Sequence, residues 1–296
     1  MENSGWIILD KPENMTSRRA GHILFKMFNS STYGHIGTLD PMASGLLPIA
    51  LGAATKMVPF WVDDQVKEYL FSVQFGYETD TLDVCGTETL RTDITPTDDK
   101  IVNACKQLIG NIDQIPPMYS AIHVNGMRAY ELARAGKNIE MKPRPVKIYE
   151  LEFMGFRNSA HQFRVLCSPG TYVRSIGRDI AKMCGTLGTV NMIRRIQSNG
   201  LTIKDTVKLD FLENLYNNGS DFKKYLKDVD FGLGDIPVLN LNDKDAQLFM
   251  HGGFVTICDM KHETCDMNLQ RVYSDNKFIG IGFVENGMLK PKRVLS

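Results

Sequence analysis

The sequence predicts an α+β fold, a mixed and largely antiparallel sheet with flanking helices, followed by a small C-terminal β domain. Three observations carry this. Strand-like and helix-like segments follow one another without the regular βαβ alternation that would signal a parallel, doubly wound sheet. The strand candidates alternate with period two, as in "KEYLFSVQFG", where Tyr69, Phe71, Val73 and Phe75 share one face. Near Ile236 the texture changes to short alternating segments separated by Gly, Asn and Asp, which divides the chain into residues 1–235 and 236–296.

Taken in order, "WIILD" is a short apolar run and reads as a buried strand closed by Lys11-Pro12. "TSRRAGHILFKMF" reads as a helix with Ser17 as its N-cap. Leu46 to Leu51 reads as a strand, and Pro48 within it predicts an edge position or an irregularity, because proline cannot donate to a ladder. An amphipathic helix starts near Thr97, and "AYELARAG" is a short helix stopped by Gly136. "RPVKIYELEFMGF" and "HQFRVLCS" are successive strands. "PGTYVRSIGRDIAKMCG" is a turn entering a helix that ends at Gly185. "GGFVTIC", "QRVYSD", "KFIGIGFVENG" and "LKPKRVL" are the strands of the terminal module.

With 296 residues, 43% hydrophobic and 23% charged, the composition is that of an ordinary soluble globular chain. No apolar run reaches the ~18 residues of a membrane span. The N-terminus has an early Glu and no basic region before its apolar run, so it does not read as a signal peptide, and a cytoplasmic protein without a membrane partner is expected. Net charge is zero but uneven: Met127–Glu150 carries six Lys/Arg against three Glu, and Glu78–Asp113 carries eight acids against three bases. Taken alone, such runs read equally as solvated faces or as binding surfaces. The six cysteines are scattered and form no CxxC pair, so no disulfide framework is expected. "CDMKHETC" groups Cys258, His262 and Cys265 but lacks a fourth ligand and the usual cysteine spacing, and it reads as a loop rather than a zinc site.

The most unusual stretch is Met27–Thr55: 29 residues with no Lys, Arg or Glu and one carboxylate, Asp40. A carboxylate in apolar surroundings is costly unless paired or hydrogen-bonded. Asp40 precedes Pro41, which biases it away from helix, and Gly37 and Gly45 flank it. An Asx-type turn and a catalytic carboxylate fit this pattern equally. If Asp40 is buried, Arg174 is the best partner, because it lies in the first turn of a helix, where the dipole disfavours a cation; Arg178 competes. Tyr69 by itself reads as a core aromatic and His35 as an ambiguous loop histidine. No Ser/His/Asp order, HExxH or P-loop is present.

"GHIGTLDPMASGLLPIALGAATK" closely resembles motif II of the TruB family of tRNA pseudouridine synthases, and the resemblance extends over nearly the whole chain. "ILDKPENMTS" resembles the family's N-terminal motif, "KEYLFSVQFGYETDTLDVCG" its tyrosine strand with the acidic segment after it, and "CSPGTYVRSIGRDI" its arginine motif. The stretch from "QIPPMYSAIHVNGMRAYELARAGKNIEMKPRPVKIYELEF" resembles the middle region, and "LKPKRVL" the close of a PUA-like C-terminal domain. Two departures stand out: Tyr33 where relatives often carry a basic residue, and Glu13-Asn14 where a glycine is usual.

The resemblance implies a pseudouridine synthase fold and isomerisation of the T-loop uridine, position 55, of tRNA to pseudouridine on a flipped-out base. It makes Asp40 the nucleophile, Tyr69 the active-site tyrosine and Arg174 the partner of Asp40. It makes His35 the residue that enters the T loop, with Lys67 and Tyr172 lining the pocket. The expected partner is the T stem-loop of tRNA, with no obligate protein partner. Breaking N1–C1′ and rejoining through C5 changes no oxidation state and transfers no group, so no cofactor and no metal are expected. A guide-dependent relative, an inactive RNA chaperone and a carboxylate glycosidase are the competing readings; the last would need a second catalytic carboxylate in an equally distinctive setting.

Overall fold

The computed structural model describes residues 3–61, 66–120, 122–124, 126–136, 140–257 and 269–295, apart from the Arg134 side chain. In the N-terminal part the chain runs β1 (Gly5–Lys11), α1 (Ser17–Met27), β2 (Tyr33–His35), β3 (Ser44–Leu51), β4 (Lys67–Phe75), β5 (Tyr77–Thr79), β6 (Glu88–Arg91), α2 (Asp98–Leu108), β7 (Gly110–Gln114), β8 (His123–Val124), β9 (Met127–Arg128) and α3 (Ala129–Arg134). It continues with β10 (Arg144–Arg157), β11 (Ala160–Cys167), α4 (Val173–Met183), β12 (Gly188–Ser198), β13 (Leu201–Thr202), β14 (Val207–Lys208) and α5 (Leu209–Asn217). The terminal module holds β15 (Val238–Asn240), α6 (Asp243–Met250), β16 (Val255–Thr256), β17 (Leu269–Ser274), β18 (Lys277–Glu285) and β19 (Met288–Val294).

The described strands of the first half form a ten-stranded mixed sheet, ordered β14-β1-β3-β12-β4-β11-β10-β7, with β2 beside β3 and β13 beside β12. Most neighbours are antiparallel; β1 with β14 and β12 with β3 are parallel. The alternation in β4 becomes orientation: Tyr69, Phe71 and Val73 are buried against the core that α1, α2 and α4 cover. Phe71 stacks on Phe163 of the adjacent β11, with ring centroids 5.1 Å apart.

One sequence expectation changes and another is resolved. Thr16, not Ser17, caps α1, its side chain accepting the Arg19 N–H at 3.1 Å. Ser17 is buried, and its hydroxyl accepts the Leu39 N–H at 2.9 Å and lies 3.0 Å from the Leu39 carbonyl, which it fastens as donor. Pro48 is not on an edge. On one side β3 pairs with β1 from Gly45 to Leu51; on the other it pairs with β2 through Ile49–Leu51 and with β12 through Ser44–Gly45. The Pro48 carbonyl accepts from Ile36 on that second side, where the partner changes, so the missing N–H interrupts no ladder.

The terminal strands form a separate five-stranded sheet, ordered β15-β17-β18-β19-β16, around Phe249, Val272, Ile279 and Leu289. A further apolar cluster joins the back of the large sheet to this module. Trp6 and Trp61 meet edge to face at 4.5 Å and pack with Leu233, Ile236, Phe278, Ile281 and Leu295. Trp6 is fully buried and donates its indole N–H to the Val229 carbonyl at 2.9 Å.

Candidate active site

Asp40 stands in the loop between β2 and β3, and the sequence around it folds so as to fix that loop. Ser17 holds Leu39 from α1. The Pro41 carbonyl accepts from the Met15 N–H at 3.1 Å and from Lys11 Nζ at 3.4 Å. Lys11 is fully buried at the end of β1, and its ammonium also donates to the carbonyls of Pro12 and Met15. Burial pulls its pKa down to about 8, against the opposing charge of Asp40. The residues on both sides of the aspartate are therefore held by backbone hydrogen bonds, leaving the carboxylate itself for a side-chain partner.

That partner is Arg174, the second residue of α4. Its Nη2 donates to Asp40 Oδ1 at 3.0 Å, and its Nε sits 2.8 Å from Oδ2 as a charge contact. The remaining donors go to the carbonyls of Thr81 and Tyr119, both at 2.9 Å. Arg178 is occupied elsewhere, by Asp179 and the Ile115 carbonyl, so the competition between the two arginines is resolved by geometry.

Arg174 is 4% exposed at its side chain whereas Asp40 is 35% exposed, so the arginine is structure and the carboxylate has one open face. The net effect on Asp40 is not the one an ion pair alone would give. Arg174 does hold its pKa down, but burial pushes harder the other way and Asp83 adds to it, so the carboxyl lies above its ordinary range.

Asp83 is the residue that sequence reading missed. It is 5% exposed, with Oδ2 3.4 Å from Arg174 Nη1, and its Oδ1 accepts from Thr81 Oγ1 and the Cys85 N–H. One guanidinium thus serves two carboxylates. The signal was the acidic run from Glu78, but composition does not say which acid of a run turns inward. If activity needs ionised Asp40, Asp83→Asn removes a like charge and lets Asp40 ionise more readily. The acid limb of the single-turnover pH–rate profile is then expected to move to lower pH; an unmoved or raised limb would count against this coupling.

A pocket of about 220 Å³ opens over Asp40, lined by Thr38, Lys67, Tyr69, Tyr172, Ile193 and Arg195 among others. It is smaller than the ~300–1,000 Å³ typical of drug-sized sites and suits one small planar group. Of the residues expected from the sequence, Asp40, Tyr69, Arg174, Lys67 and Tyr172 converge here. Tyr69 and Lys67 sit on β4 and are 8% and 6% exposed. Tyr172 precedes α4, and Gln114 of β7 clamps its backbone, accepting its N–H at 2.8 Å and donating to its carbonyl at 3.2 Å. Burial raises the Tyr172 hydroxyl pKa.

His35 does not line the pocket. It closes β2 at the rim, with Nε2 2.9 Å from Thr38 Oγ1. Burial, then the charge of Arg195, lowers its pKa, which favours the neutral ring. Arg128, Lys142, Arg144 and Lys147 of the basic segment are exposed, and the charge of Arg144 acts on Tyr172. Residues 137–139 and the cluster Cys258, His262 and Cys265 lie outside the described residues. Among the described residues no group of three or more His, Cys, Asp or Glu could hold a metal ion, and no helix is long and apolar enough to cross a membrane.

Comparison with known proteins follows the same residues. The model of the TruB family pseudouridylate synthase N-terminal domain matches residues 26–173, and that of the pseudouridine synthase II TruB C-terminal domain matches residues 237–295. A tRNA pseudouridine synthase B from Bradyrhizobium diazoefficiens is 40% identical over 297 residues, covering 99% of this chain and 86% of the relative. Another, from Ehrlichia chaffeensis, is 36% identical over 99% of both chains. Among solved structures, an H/ACA RNP bound to a substrate RNA containing 2'-deoxyuridine superposes with TM-score 0.70 at 21% identity, covering 100% of this chain and 86% of that one. A Cbf5-Nop10-Gar1 complex gives TM-score 0.68 at 22% identity, covering 98% and 84%. At that identity the likeness is one of fold: a mixed sheet with helices and a separate C-terminal sheet. The match of both domain models, and of relatives along the full chain, places this protein in the TruB family of pseudouridine synthases.

Proposed function

We propose that this chain isomerises the T-loop uridine of tRNA, position 55, to pseudouridine, acting alone on the T stem-loop in the cytoplasm. The observation that carries the mechanism is the half-open Asp40 carboxylate fixed by a buried guanidinium at the floor of a base-sized pocket. The base is flipped out of its stack into the pocket, at a cost of a few kcal/mol. Asp40 attacks the flipped nucleotide at C1′ or C6, and the C–O bond so formed breaks again, returning the free carboxylate, before the product leaves. The N1–C1′ bond breaks, the base turns, and C5 bonds to C1′. The C5 proton then leaves through Tyr69, whose hydroxyl takes it up as it passes its own proton on to solvent, and N1 gains a proton from solvent, so the sum is an isomerisation that balances without cofactor or redox partner.

Buried walls from β4, β12 and α4 shield the detached base from water. Lys67 and Tyr172 bound the base, and His35 at the rim fills the space it vacates. The exposed cations Arg128, Lys142, Arg144 and Lys147 hold the backbone by phosphate contacts, which position RNA without reading it. Residues 1–235 form the catalytic domain and 236–296 an RNA-binding PUA-like domain; the separate terminal sheet and the C-terminal family match from 237 support that division.

The test is a map of pseudouridine in unmodified tRNA before and after incubation with the purified chain. Conversion at the T-loop uridine alone is expected. Binding without conversion would favour a chaperone, and conversion only on addition of a guide RNA would favour the guide-dependent reading.

A further inference from the structure

Besides Arg174 behind Asp40, a second buried arginine lines the pocket itself. Arg195 of β12 is 1% exposed, and among the described residues no carboxylate lies within ion-pair distance of it. A buried charge without a counter-ion is costly, so its retention needs a use. Its hydrogen bonds indicate one. Nε donates to the Leu46 carbonyl at 2.8 Å and Nη2 to the Gly37 carbonyl at 2.7 Å. Those two carbonyls stand on either side of Asp40, the Gly37 carbonyl near the start of its loop and the Leu46 carbonyl in β3 just past the end of that loop.

The local backbone is shaped to admit this contact. Gly37 has φ +67, and a Cβ there would stand 3.0 Å from Arg195 Nη1; Gly45 has φ +106, and a Cβ there would stand 2.2 Å from the Arg195 carbonyl oxygen. Arg195 also pairs with Tyr69 of β4 on its other side, so one residue touches the strand of the tyrosine and the chain on either side of the aspartate.

We propose that Arg195 is a positioning residue: its guanidinium straps the Gly37 end of the Asp40 loop to Leu46 of β3, and so fixes Asp40 between Arg174 and the pocket. The inference rests on the reading of Asp40 as the reacting carboxylate. A planar fork reaches both carbonyls at once, whereas an ammonium is a single point of charge. Charge alone is therefore insufficient, and lysine is the discriminating substitution.

Arg195→Lys and Arg195→Gln are measured beside wild type and Asp40→Asn, by single-turnover pseudouridine formation at saturating T-arm RNA, filter binding and thermal melting. Arg195→Lys is expected to lose about 10²-fold in single-turnover rate, the cost of a 1 Å misplacement. Its Kd should stay within threefold of wild type. Arg195→Lys combined with Arg174→Lys should lose less than the product of the single losses, because both act by fixing one carboxylate.

A near-wild-type rate for Arg195→Lys, or losses that multiply, overturns the strap. So does a weakened Kd with an unchanged saturated rate, which would make Arg195 a phosphate contact. A lower melting temperature with an unchanged rate per folded molecule would make it purely structural and also overturn the proposal. If Arg195→Gln does not fold, Arg195→Lys alone decides. If Asp40→Asn itself turns over, the premise fails, and that outcome is distinguishable from failure of the strap alone.

Discussion

Asp40→Asn is expected to abolish pseudouridine formation by several orders of magnitude while leaving T-arm RNA binding within about tenfold of wild type, or about 1.4 kcal/mol. The amide has nearly the shape of the carboxylate, and the loop is held through the backbone by Ser17, Lys11 and Met15 rather than through the Asp40 side chain, so the surface survives. What is lost is the nucleophile, and with it the covalent route.

Stability should change little at neutral pH, for two opposing reasons. Because the folded carboxyl is raised, the stabilisation its titration supplies is complete below the ordinary carboxylate pKa and is lost as pH rises through the folded value, so neutral Asn relieves a burial penalty. Against this, Arg174 loses one of its two carboxylates and keeps Asp83. The measurement is tritium release from 5-tritiated uridine in a tRNA transcript, run beside filter binding. A rate near wild type would reduce Asp40 to a turn residue.

Arg174→Met is expected to be the second most damaging change, and to act on catalysis more than on binding. Removing one partner of a buried ion pair costs ~3–5 kcal/mol, because the charge left behind is uncompensated. Here two carboxylates are left, Asp40 and Asp83, together with the Thr81 and Tyr119 carbonyls that Arg174 bridges. Asp40 should then take up a proton at higher pH and lose its orientation, so the single-turnover rate falls at neutral pH and recovers only in part as pH rises. Arg174→Lys, which keeps the charge without the fork, serves if the methionine variant does not fold. A folded Arg174→Met with a near-normal rate would remove the ion pair from the mechanism.

How much of this was readable beforehand differs from residue to residue. Asp40 stood out because its setting is local: a single carboxylate among apolar residues, before a proline, is a chain-level anomaly that needs no fold to be noticed. Arg174 stood out for a similar reason, as a cation placed against a helix dipole. Asp83 did not, because an acidic run looks the same whether its third member faces water or a guanidinium. Pro48 marked an edge or an irregularity without saying which, and only the handover of β3 from β2 to β12 shows that it is the irregularity.

Local patterning thus determined by itself the type of the elements it marked, the alternation of β4, the change of texture near Ile236 and the anomalous aspartate, because each depends on residues within one or two turns of chain; it did not mark β12, α5 or α6. The motifs, being ordered along the chain, determined the family. The tertiary structure alone decided which of Arg174 and Arg178 meets Asp40, that Asp83 shares the guanidinium, and that Ser17 faces the Leu39 backbone instead of capping α1. It also placed Lys11 and Arg195, whose charges sequence gives no reason to bury, on the carbonyls of the Asp40 loop. These are contacts between positions up to 158 residues apart, as between Arg195 and Gly37. They exist only once the sheet has ordered its strands, because burial, and the unequal competition between desolvation and pairing that sets the Asp40 pKa, are properties of the assembled site and not of any segment.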